Sequence, residues 1–174
     1  MKVHAMILFR SIIFAVLANI TWIGGARALD PLAIDILTFR LGMSPQDVER
    51  GLIRQGIQPV DWIRRHVACP NRPDAACLSS LTVPTHDGTL EIGFSLAARV
   101  ERIDYTLRAT GPGEPAMIRA SVLNRFGPPS GKHELTWCLQ ATASGECPAG
   151  QPVLRFRSGP GLVSFLSLTT VAAP

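Results

Sequence analysis

Apolar and polar positions along the chain follow two periods, and the switches between them mark the predicted elements. Ile36-Leu37-Thr38-Phe39-Arg40-Leu41 alternates and is rich in β-forming residues, which predicts a strand. Directly after it, Ser44-Pro45-Gln46-Asp47 is a helix start: Ser44 can cap, Pro45 suits the first helical position, and Asp47 sits where a carboxylate faces the positive helix end. Val48 and Leu52 make an i, i+4 apolar pair, Ile53 widens the stripe, and Gly56 can close the helix. A Trp62-containing segment runs from Val60 to Cys69, followed by a Pro-rich loop to Cys77. Strand patterns follow at Leu81–Pro84, Thr89–Ser95 and Val100–Arg108, with His86-Asp87-Gly88 as the turn between the first two.

After Gly111-Pro112-Gly113 a similar order begins again. Ile118, Val122 and Phe126 have helical spacing, and Gly127-Pro128-Pro129 stops that helix. Glu134–Leu139 reads as a strand containing Trp137, the Cys138–Cys147 loop comes next, then strands Val153–Arg157 and Leu162–Thr169 flank Gly159-Pro160-Gly161. Cys138 lies 69 positions after Cys69, Cys147 lies 70 after Cys77, and Ile118/Val122 lie 70 after Val48/Leu52. The shared offset predicts an α+β fold of two tandem helix-on-antiparallel-sheet units with a joined sheet, spanning 29–110 and 111–174.

The N-terminus has a different character. Lys2 and Arg10 precede a mostly apolar run from Ser11 to Ile23, and Ala26-Arg27-Ala28 supplies a small-residue cleavage site. These are the three parts of a secretory signal, so 1–28 is expected to be removed after Ala28. As a helix the run rises only about 20 Å, short of the roughly 30 Å hydrocarbon core of a membrane. Cys69 is the first cysteine, so a lipid-modified N-terminus is not expected.

Cleavage also changes the charge. The chain of 174 residues has 17 Lys+Arg and 13 Asp+Glu. Losing Lys2, Arg10 and Arg27 leaves a nearly neutral mature protein, without the basic field that nucleic acid requires. Four cysteines in an oxidising compartment argue for two disulfides, of which three connectivities are formally possible. Local closure, Cys69–Cys77 and Cys138–Cys147, is the simplest, each bridge stapling the end of a hairpin. The spacings are too long for zinc knuckles, so no metal is expected.

Gly42-Met43-Ser44, followed by Asp47, Val48 and Leu52, is similar to the helix-start motif of the SmpA/OmlA outer-membrane lipoproteins. The tandem arrangement with one disulfide per unit resembles the β-lactamase inhibitor protein family. Both resemblances imply helix-on-sheet units, and the second implies action through protein contact. The SmpA/OmlA proteins are lipid-anchored, which is not expected of this chain, so that family's membrane role does not carry over with the motif.

Catalytic patterns are sparse. No H-E-x-x-H, G-x-S-x-G or phosphate-loop motif occurs. His86 beside Asp87 has the composition of a base and its orienting carboxylate, but before a glycine it reads as turn chemistry. Ser79, Ser80, Ser164 and Ser167 have no base nearby in sequence, and paired cysteines leave no thiol nucleophile. No cofactor is expected.

The alternation in two strands is more informative. If Ile103, Tyr105 and Leu107 face the helices, then Arg102, Asp104, Thr106 and Arg108 face away; Arg155 and Arg157 likewise face away from Leu154 and Phe156. Arg102, Asp104, Arg108, Arg155 and Arg157 thus form a candidate platform for an acidic protein loop, the alternative being an ordinary solvated face. Trp62 and Trp137 read as core. The expectation is an exported, non-enzymatic, periplasmic or secreted protein. It would act by contact with an envelope or extracellular protein and have no membrane span after cleavage. The rival is an accessory protein binding a small anionic or envelope ligand, with a hydrolase less favoured.

Overall fold

In the computed structural model, which describes residues 34–111, 113–130, 135–138, 141–142, 145–159 and 163–170, the first helix is α1 (Pro45–Arg54). The signal-type segment 1–28 and the predicted strand ends Glu134, Leu139 and Leu162 lie outside the described residues. The Ser44 side chain accepts from the Asp47 N–H at 3.2 Å and donates its hydroxyl to Asp47 Oδ2 at 2.7 Å. With Arg50 adding a 2.5 Å contact, the Ser44 bonds foremost hold the Asp47 carboxyl below its usual range. At the other end Gly56 turns to φ +79°, donating to Ile53, while the Ile57 N–H returns to the Leu52 carbonyl. This double closure satisfies two carbonyls the helix would otherwise leave open. The lead-in is pinned as well: the Gly42 N–H donates to the Val100 carbonyl, and the Val100 N–H donates to Met43.

The predicted strand Ile36–Leu41 is not a strand. Ile36 and Phe39 form one isolated bridge across a tight turn whose central residues, Leu37 and Thr38, have φ +52° and +75°. Branched residues rarely adopt this conformation, which costs of order 1 kcal/mol each. Here the turn drives Ile34, Ile36 and Phe39 into the core, and Gln55 at the end of α1 donates to both the Leu37 carbonyl and Thr38 Oγ1. Burial of three large apolar side chains outweighs the local preference. Phe39 in turn seats α1, because a Cβ on Gly51 would come within 2.7 Å of its ring.

Seven antiparallel strands follow among the described residues. They are β1 (Ile63–Cys69), β2 (Arg72–Thr85), β3 (Gly88–Phe94) and β4 (Val100–Arg108), then after α2 (Glu114–Phe126) come β5 (Leu135–Cys138), β6 (Pro152–Ser158) and β7 (Val163–Thr170). They form one sheet in the order β1-β2-β3-β4-β7-β6-β5, the halves meeting where β4 pairs with β7. Among the described residues the first half has four strands and the second three, so the expected repeat of one tandem unit is not confirmed. No described helix is long and apolar enough to cross a membrane.

The inner face carries the core: Leu81, Leu90, Ile92, Ile103, Leu154, Leu168 and Trp137 are fully or almost fully buried, and Trp62 is buried too. Both helices pack on this side, with Val122 and Phe126 of α2 turned inward.

Cys69–Cys77 and Cys138–Cys147 are bonded, closing the two local loops. The first loop is smaller than its composition implied. β2 begins at Arg72 and runs for 14 residues, so the Pro-rich segment is largely strand. β3 joins β2 only from Ser80 onward. Residues 66–79 therefore run on as a two-stranded arm, clipped near its tip by Cys69–Cys77, with Leu78 on the core and Leu96 beside the tip.

Candidate functional site

The outer face of the sheet is built from the side chains that alternate with the core. On β4, buried Ile103 and Tyr105 leave Arg102, Asp104, Thr106 and Arg108 on the other side; on β6, buried Leu154 and Phe156 do the same for Arg155 and Arg157. Strand register then sets who meets whom. Asp104 and Arg155 both pair with Ser167 of β7, and Thr106 and Arg157 both pair with Phe165. With strands about 4.8 Å apart, β4 and β6 lie about 10 Å apart across this face.

The four arginines are not equivalent. Arg102 is held by two carboxylates: its guanidinium reaches Glu91 Oε1 on β3 at 2.8 Å and Asp104 Oδ2 at 3.2 Å. It lies over Gly93, where a Cβ would stand 3.4 Å from Nε, about ordinary contact distance. Asp104 is further fixed by the Ser167 hydroxyl, which donates at 2.6 Å. This cluster is satisfied internally and carries one negative charge more than it has positive ones. Arg157 lies over the Phe165 ring at 5.6 Å, and that ring packs on Gly159. Arg108, Arg155 and Arg157 are exposed, and none has an ion-pair partner among the described residues. The available positive charge is therefore on β6 and at the far end of β4, away from Arg102.

Two members of this face escaped the sequence reading. Glu91 could have been placed by the alternation of Thr89, Glu91 and Gly93, but its role depends on the β3–β4 register, which aligns it with Asp104. Arg65 belongs to the same face because it pairs with Ser80, which pairs with Gly93, which pairs with Arg102.

The other candidates separate from this face. His86 and Asp87 form the turn between β2 and β3, with a 2.5 Å contact between His86 Nδ1 and Asp87 Oδ1, both in solvent. The neighbouring carboxylate raises the His86 pKa above its ordinary value. A raised folded-state pKa contributes stability at pH below the unfolded value of about 6.5, and that contribution is lost as pH rises through the folded value. An NMR titration should place the His86 midpoint above the ordinary one, and Asp87→Asn should return it towards that value. Among the described residues no His, Cys, Asp and Glu cluster could hold a metal.

A concave feature lies between α2 and the sheet. It is a groove of about 370 Å³, walled by Leu37, Tyr105, Leu107, Met117, Val122 and Leu166. Its rim charges are already engaged. Asp35 pairs with Arg125, and Glu114 accepts from the backbone N–H groups of Thr110 and Gly111 and from the Thr110 hydroxyl. These bonds, that to the Thr110 N–H foremost, hold the Glu114 carboxyl below its usual range.

No family model matches this chain, and neither a curated protein nor a solved structure matches it.

Proposed function

We propose that the mature chain, beginning at Leu29, is an exported non-enzymatic protein. It works by contact with an envelope or extracellular protein, presenting the outer sheet face to an acidic segment. The observation that carries this reading is the Arg155/Arg157 pair on β6: two exposed guanidiniums on one face, without a carboxylate partner among the described residues. Guanidiniums left in this state can make forked contacts to carboxylates. Two internal disulfides and a sheet built like those of helix-on-sheet binding modules support it further, as does the similarity of Gly42-Met43-Ser44 to the SmpA/OmlA helix start. The groove under α2 supports a small anionic ligand less well, because its lining is apolar and its rim cation is already paired.

The test is a partner captured from envelope extract, followed by quantitative binding with Arg155→Ser/Arg157→Ser. Both side chains are exposed, so each change should alter stability by no more than about 0.5 kcal/mol. Binding should weaken by about 1–2 kcal/mol, roughly 5–30-fold, and should fall as salt rises. A double variant that binds as tightly as the parent removes the outer face from the interface.

A further inference from the structure

The two ends of the sheet differ. β5 is four residues long, and its Trp137 and Cys138 are buried. β1 is seven residues long, has β2 on one side and, among the described residues, no strand on the other, and is exposed along almost its whole length, Ile63 at 59% and Val67 at 45%. An open strand of this kind carries unpaired backbone donors and acceptors and can serve as a template for one more strand.

Its side chains select what can pair there. β1 contains Arg64, Arg65 and His66 and no acid. Arg64 turns to the helix side, reaching Glu49 at 3.1 Å and lying over Trp62 at 4.9 Å. Arg65 belongs to the outer face, and neither it nor His66 has a carboxylate partner among the described residues. Arg64 keeps its own counter-charge in Glu49, but a second copy of this edge would bring two Arg65 guanidiniums to one seam with no carboxylate partner for either among the described residues. Like charges across a strand pair are destabilising, so self-pairing is disfavoured. The bulge between Arg65 and His66 adds to that protection. An extended acidic segment meets the same bulge but no like-charge repulsion, and it can supply the carboxylate that Arg65 lacks among the described residues.

We propose that β1 accepts an extended, acidic segment of another protein as an eighth strand. Ladder hydrogen bonds would supply the attachment, and Arg65 and His66 the preference for acid. This surface is distinct from the Arg155/Arg157 pair and stands or falls separately.

The probe is a fluorescein-labelled peptide of about ten residues composed of Thr, Val and Glu. Its controls are a version with Lys in place of Glu, and a Glu version N-methylated at alternate residues, which keeps the charge and removes ladder donors. Anisotropy should show the Glu peptide binding at least tenfold more tightly than either control, and hydrogen exchange should slow at the amides of β1. Arg65→Glu, a change at an exposed position, should weaken the Glu peptide at least tenfold, whereas Arg155→Ser/Arg157→Ser should leave it unchanged. Equal binding of the N-methylated peptide would overturn strand addition, as would protection confined to β4 and β6. Concentration-dependent dimerisation through β1 would overturn the argument against self-pairing.

Discussion

Trp137→Ala is expected to lower the unfolding free energy by about 3–5 kcal/mol, the range for truncating a large aromatic in a packed core. Trp137 has no exposed surface, and its ring lies 5.9 Å from that of Phe126 at the end of α2. Its Nε1–H donates to the Gly127 carbonyl at 2.9 Å, where the chain leaves that helix. One side chain therefore fixes the end of α2 against β5, and the Cys138–Cys147 bridge starts at the next residue. Trp137→Phe keeps much of the ring but strands the Gly127 carbonyl, so a smaller loss of about 1–3 kcal/mol is expected. Urea unfolding with the disulfides intact measures both, and a cost under about 1 kcal/mol for the alanine variant would show that this junction is not part of the cooperative core.

The second large effect is expected at a residue with no side chain. Gly88 opens β3 opposite Leu107, and a Cβ there would lie 1.9 Å from the Thr106 carbonyl oxygen and 3.1 Å from Leu107 Cα. Backbone atoms cannot swing aside, so Gly88→Ala must push β3 and β4 apart where their pairing starts. A loss of about 3 kcal/mol or more is expected, read as a fall in thermal midpoint. Gly93 is the built-in comparison. A Cβ there would meet only the Arg102 side chain, Nε at 3.4 Å and Cβ at 3.5 Å, close to ordinary contact, so Gly93→Ala should cost far less. If the two substitutions cost the same, close strand approach at Gly88 is not the cause.

What could be read from the chain is what depends on near neighbours. The α1 cap and stop follow from Ser44, Pro45, Asp47 and Gly56 within one short stretch, and both disulfides close loops of under a dozen residues. The two faces of β4 and β6 follow from strict alternation. The turn at Leu37–Thr38 was hidden because neither residue is a usual left-handed turn former; it is held by distant burial and by Gln55. The tie between Arg102 and Glu91 needed the β3–β4 register, and the arm needed the point at which β3 stops accompanying β2. Both are properties of pairing, which composition does not encode.

The arm has a consequence for when the protein is competent to bind. Between His66 and Ser79 no third strand accompanies its two strands among the described residues, and a two-stranded ribbon is marginal in water, with Leu78 on the core and Leu96 beside the tip as its further contacts. The Cys69–Cys77 crosslink offsets that weakness by restricting the unfolded arm. Reduction of the crosslink is expected to loosen the ribbon, and with it the β1 edge proposed above as a template. Oxidation of Cys69–Cys77 would then act as a maturation step for the edge proposed above, which is expected to be fully ordered only where the crosslink has formed.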